Sequence, residues 1–120
     1  MKVLILIAHG SRISAANQEI IDLAQLLQCR ANKTYSQVVP AFLELADPSI
    51  PDAIQQVIDS GANEVVLLPY FLASGKHVET DIPSEVEKKQ LEHPHIDIKL
   101  LDYFGRAQGI DDILLKQAGC

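Results

Sequence analysis

Val3-Leu4-Ile5-Leu6-Ile7-Ala8 is an unbroken apolar run, and His9-Gly10-Ser11-Arg12 comes directly after it. A strand with one wet face alternates apolar and polar residues. A run with no polar interruption fits a strand buried on both faces, as in a parallel sheet sandwiched between helices. The run is too short for the apolar stretch that spans a bilayer, roughly 18–20 residues. No small-residue cleavage site comes after it, so it is not read as a signal peptide.

The rest of the chain repeats the pattern outward from this strand. Ser14–Arg30 carries Ala16, Ile20, Leu23, Ala24 and Leu27 at the spacing of one helical face. Thr34–Leu43 reads as a second strand. Ser49–Ser60 reads as a second helix: Ser49 caps it, Pro51 and Asp52 suit its first turn, and Gly61 stops it. Glu64–Leu68 is another continuous apolar strand. The long loop Pro69–Thr80 then leads to a third helix over roughly Asp81–Leu91, with Pro83 in its first turn. In Ile96–Leu100 the apolar residues alternate with Asp97 and Lys99, the mark of an edge strand. Ile110–Ala118 closes as a fourth helix.

Strict alternation of strand and helix predicts an α/β fold: a doubly wound parallel sheet with helices on both faces. The two most apolar strands, the first and third, belong at the centre, which gives strand order 2-1-3-4. Residues 1–120 read as a single domain. The formal charge of −6 argues against a nucleic-acid partner. Cys29 and Cys120 share no metal-ligand spacing, and the chain reads as a cytoplasmic protein with free thiols and no membrane partner.

In open α/β sheets, ligands bind beyond the carboxyl ends of the strands, where the winding reverses. The residues expected there are His9 after the first strand, Glu44 after the second and His77 in the loop after the third. Two neutral imidazoles suit Co2+, Ni2+ or Fe2+, and a histidine also titrates near neutrality, so it can accept a proton. Glu44 can complete such a set or remain a solvated carboxylate. Gly10, Ser11 and Arg12 lead into a helix start and are candidates for binding an anion, with Lys76 joining from the other loop. His93 and His95 flank Pro94 in a turn before the edge strand, far from the expected switch point, and read as turn residues. No nucleotide loop or dinucleotide glycine fingerprint is present.

Three segments carry a family resemblance: Ile7-Ala8-His9-Gly10-Ser11-Arg12; Ala41-Phe42-Leu43-Glu44 followed by Pro48-Ser49-Ile50; and Leu68-Pro69-Tyr70-Phe71-Leu72 leading into Gly75-Lys76-His77-Val78 and Asp81-Ile82-Pro83. In this order, over roughly positions 3 to 83, they resemble the sirohydrochlorin cobaltochelatase (CbiX) family and its iron- and nickel-using relatives. The resemblance implies a class II chelatase fold and ATP-independent insertion of a divalent metal ion into a tetrapyrrole of the sirohydrochlorin type. It implies no cofactor beyond that ion. The family's two metal-binding histidines map onto His9 and His77, and its glutamate motif onto Glu44. Tyr70, Phe71 and Leu72 would shape the cleft or pack on the macrocycle. The chain is similar to the short, single-domain members, which work as homodimers.

Two other readings use the same residues. A noncatalytic metal or tetrapyrrole carrier would need the same ligands. A histidine phosphatase also places His-Gly after a strand, but puts an arginine just before the histidine; here Ala8 holds that position.

Overall fold

β1 (Lys2–Ala8) lies at the heart of an all-parallel sheet, hydrogen-bonded to β2 (Gln37–Phe42) on one side and β3 (Glu64–Pro69) on the other, with β4 (Asp97–Leu100) beyond β3. The computed structural model describes all 120 residues, Met1–Cys120. The strand order is β2-β1-β3-β4, as the apolar runs predict. The two central strands are the ones whose residues must be apolar on both sides, and Val3, Ile5, Ile7, Val65 and Leu67 are fully sequestered.

Four helices complete the fold: α1 (Ser14–Arg30), α2 (Ile50–Asp59), α3 (Ile82–Glu92) and α4 (Ile110–Gln117). Odd-numbered β1 residues meet α2 and α3: Val3, Ile5 and Ile7 form one core with Ile50, Ile54, Val57, Ile82 and Val86. Leu4 on the other face packs with Val38, Val66 and Ala24 of α1. The two clusters are the two sides of one sheet, because successive side chains alternate across a strand. Burying each large side chain such as Ile54 or Leu67 is worth about 1.5–3 kcal/mol. α4 buries none of its residues.

Local signals account for most boundaries. Ser49 caps α2 by accepting the Asp52 N–H at 3.2 Å, and Pro51 sits in the first turn, where no N–H is needed. β2 is shorter than the Thr34–Leu43 run: Thr34 and Tyr35 donate their N–H groups back to Ala31, which holds them in a turn at the end of α1. In β4, Ile98 and Leu100 point to the core while Asp97 and Lys99 are exposed. No helix is long and apolar enough to cross a membrane.

One departure matters for the site. The sequence places His77 in a long loop that ends at Thr80. Instead a π-helical turn spans His77–Asp81 and runs directly into α3, with the Ile82 N–H donating to the His77 carbonyl. Proline in a regular helix collides with the carbonyl four residues earlier, here that of Glu79. The wider π turn just before Pro83 lets the helix start early without that collision.

Candidate active site

The carboxyl end of β1 gathers both neighbouring chains. Leu43 N–H donates to the Ala8 carbonyl at 2.9 Å, Glu44 N–H to the His9 carbonyl at 3.0 Å, and Tyr70 N–H to the Ile7 carbonyl at 2.7 Å. The ladder therefore continues one step past the strands, fixing the backbones of His9 and Glu44 side by side. Gly10 makes this approach possible. Its φ is +94°, and a Cβ there would lie 1.8 Å from the Glu44 carbonyl oxygen.

The side chains use that proximity. His9 Nε2 and Glu44 Oε1 are 2.8 Å apart. The His77 ring, delivered by the π turn, stands edge-on to the His9 ring with centroids 5.1 Å apart and planes at 83°. His77 Nδ1 in turn meets Asp81 Oδ2 at 2.8 Å. The four side chains remain accessible: His9 is 47% exposed, Glu44 52%, His77 42% and Asp81 34%. The result is two imidazoles, each hydrogen-bonded to its own carboxylate, at an open mouth. No three His, Cys, Asp or Glu side chains converge as a preformed metal centre. Such a pair can take up an ion transiently and can accept protons, because each ring nitrogen lone pair serves either purpose.

Apolar and cationic groups surround the pair. Phe71 stacks obliquely near His9, with centroids 6.4 Å apart. Tyr70 meets Phe104 at 5.6 Å, and Leu72 is largely exposed. The loop carrying Phe104 docks because Gly105 has no side chain: a Cβ there would lie 1.8 Å from the Leu72 carbonyl oxygen. Arg12 and Lys76 are exposed and form no ion pair. Ser11 is engaged within its own loop. Its N–H donates to Asn17 Oδ1, its carbonyl accepts from Asn17 Nδ2, and its hydroxyl accepts the Ile13 N–H. Ser11 thus pins the loop, and only its hydroxyl hydrogen is left to offer an anion.

The structure brings together His9, Glu44 and His77 at one end of the sheet, with Gly10 beneath them. Asp81 joins them although sequence reasoning assigned it no role; its spacing of four from His77 carries that signal only once the segment is helical. His93 stays apart, with Nε2 on Gln55 Oε1 at 2.9 Å. The largest cavity, about 520 Å³ beside His95 and Pro94 at the α3–β4 turn, is likewise away from the histidine pair.

A pocket of about 360 Å³ opens beside the pair, lined by Glu44, His77, Asp81, Glu85 and Lys88 among others. Burial pushes the Glu85 carboxyl above its usual range; Lys88 opposes the shift and Asp81 adds to it. A carboxyl raised on folding favours the folded state only while it is protonated. Its contribution is complete below the unfolded pKa, near 4.3, and is lost as pH rises through the higher folded value. Glu85→Gln is therefore expected to match the wild type in urea melts at low pH and to exceed its stability at neutral pH. A stability gap independent of pH would contradict this account.

The comparisons with known proteins agree with the geometry. The family model described as CbiX matches residues 3–119. The chain belongs to the CbiX family. A sirohydrochlorin cobaltochelatase of Methanococcus maripaludis is 39% identical over 83 residues, which cover 69% of this chain and 56% of that protein. A sirohydrochlorin ferrochelatase of Priestia megaterium is 28% identical over 117 residues, 98% of this chain and 43% of that protein. The chain spans about half the length of the curated relatives it matches. Among solved structures, the sirohydrochlorin chelatase SirB of Bacillus subtilis subspecies spizizenii, in complex with cobalt, superposes with a TM-score of 0.80 at 25% identity, over 98% of this chain and 50% of that one. The CbiX membership bears out the resemblance read from the three motifs, and the doubly wound sheet is that of the chelatases.

Proposed function

We propose that this CbiX-family chain catalyses ATP-independent insertion of Co2+, or of Ni2+ or Fe2+, into a sirohydrochlorin-type tetrapyrrole, working in the cytoplasm as a homodimer. The observation that carries the reading is the His9–His77 pair, 5.1 Å between centroids at the carboxyl end of the sheet, with a carboxylate on each ring. Insertion demands two things of a protein. It must strip water from the ion, and it must receive the two pyrrole N–H protons that leave as the ion enters. Imidazole nitrogen does the first by replacing water as ligand, and does the second as a base of pKa about 6.5. Glu44, hydrogen-bonded to His9 Nε2, can stabilise the imidazolium that forms. The absence of a closed three-ligand centre suits an ion that must be passed on.

The macrocycle binds through opposite features. Tyr70 and Leu72 offer apolar surface at the mouth, with Phe71 packed against the core, while Arg12 and Lys76, free of ion pairs, meet its peripheral carboxylates. Gly10 and Ser11 hold the loop that presents Arg12. These local cations offset the net charge of −6.

Two features support a second copy. The site is an open surface, whereas a plate-shaped ligand needs a wall on each side. α4 also leaves Ile113 56%, Leu114 63% and Leu115 51% exposed, an apolar face that association would cover.

The test mixes purified protein, sirohydrochlorin and Co2+, with Ni2+ and Fe2+ in parallel, and tracks the absorbance of the macrocycle while light scattering gives the mass. Expected are a rate above the protein-free control and a mass of two chains. Rates equal to the control would end the chelatase reading. Tight binding of the metallated product without rate enhancement would identify a carrier instead.

A further inference from the structure

Resting on that reading of the site, we propose that Asp81 is a positioning residue that fixes His77 as its Nδ1–H tautomer, so that Nε2 is the atom His77 offers to the ion. The two imidazoles are held through different nitrogens: Glu44 takes His9 by Nε2, whereas Asp81 takes His77 by Nδ1, both at 2.8 Å. A carboxylate can only accept a hydrogen bond, so beside Asp81 the neutral ring carries its proton on Nδ1 and its lone pair on Nε2. Nε2 of His77 makes no hydrogen bond. A carboxylate behind a metal-binding histidine fixes tautomer and ring orientation and raises ligand basicity.

Asp81 has no competing task. It makes no ion pair with a lysine or arginine, and its side chain caps no helix. Its placement depends on the π turn. His77 and Asp81 are that turn's first and last residues, and the wider winding brings the fourth residue along beneath the first. The same turn that accommodates Pro83 therefore orients the ligand. Glu44 differs in kind. It occupies the very nitrogen that His9 would use toward an ion from that side, so it must move or share when metal arrives. Asp81 need not.

The experiment joins an observation on the metal-free protein to a binding measurement. 15N-edited NMR of the imidazoles, at a pH well above the ordinary histidine value of about 6.5, reads which nitrogen of His77 is protonated. Isothermal titration with Co2+ reads affinity. Wild type is expected to show the Nδ1–H form. Asp81→Ala releases the ring to a mixture of tautomers and weakens Co2+ binding about 10–100-fold. Asp81→Asn keeps an oxygen acceptor, so it retains the tautomer and loses less affinity, a rescue that a merely structural role would not give. An Nε2–H form in the wild type overturns the inference without any variant. So does an Asp81→Ala protein that matches wild type in both tautomer and affinity. Wild-type protein that binds none of Co2+, Ni2+ and Fe2+, each titrated in the same way, overturns the chelatase reading and this inference with it, an outcome distinct from the other two.

Discussion

Gly10→Ala is expected to unfold the site from below, costing about 2–5 kcal/mol of stability and abolishing the proposed chelation. Two effects add. The residue sits at φ +94°, where an L side chain costs about 1–2 kcal/mol. The new methyl would also lie 1.8 Å from the Glu44 carbonyl oxygen, with Phe42 Cβ at 3.4 Å on another side. That oxygen belongs to backbone held in place: the Glu44 N–H donates to the His9 carbonyl, and the Leu43 N–H to that of Ala8. Relief requires breaking the step of the ladder that pairs His9 with Glu44, so stability and chemistry fail together. Gly61→Ala separates the two contributions. Gly61 also has a positive φ, +109°, but nothing lies within 4 Å of its would-be Cβ. It is expected to lose only the conformational part, about 1–2 kcal/mol, and to keep its activity. Guanidinium melts of the two variants compare them directly; equal losses would mean that the loop after β1 gives way freely and is not wedged against Glu44.

Much of this arrangement can be read in the chain because several levels of signal coincide. The runs Val3–Ala8 and Val65–Leu68 have no polar residue, so only the two central places suit them. Once they are adjacent, the residues just beyond the strands must sit at one mouth, as His9 and Glu44 do, while His77 comes later in the chain and is brought beside His9 by the π turn. Ser49 and Pro51 mark the start of α2 by chemistry that operates within four residues. The features that escaped reading depend on partners distant in sequence or on a backbone of unusual winding. The stretch from Gly75 to Pro83 carries both residues that usually interrupt a helix, so nothing in it announces that His77 and Asp81 share a turn. Gly105 looks like any loop glycine until Leu72 is seen to pass over it. Ile113, Leu114 and Leu115 show that α4 has an apolar side, yet periodicity says nothing of where that side goes, and within one chain it is not buried. Ser11 suggests an anion loop, but Asn17, six residues on, takes its N–H.

Unlike Gly10→Ala, His77→Ala is expected to remove the chemistry while leaving the fold alone. The His77 side chain is 42% exposed, and its one hydrogen bond is to Asp81, itself accessible. Its loss buries no orphaned group, so stability should stay within about 0.5 kcal/mol of wild type. The functional loss should be large. One imidazole cannot both hold the incoming ion and accept the departing protons at the same moment, and removing a positioned base alone costs about 10²–10⁴-fold. His9→Ala should fall in the same range. It frees Glu44 to solvent without stranding it, because that carboxylate is 52% exposed. If the pair acts as one unit, the double variant should be little worse than either single variant, since groups that serve one step are far from additive. Steady-state kcat/KM with Co2+ and sirohydrochlorin, measured on all three proteins, decides the matter. Losses that multiply in the double variant would show two independent sites of action, and an unchanged rate for His77→Ala would leave His9 and Glu44 as the working pair.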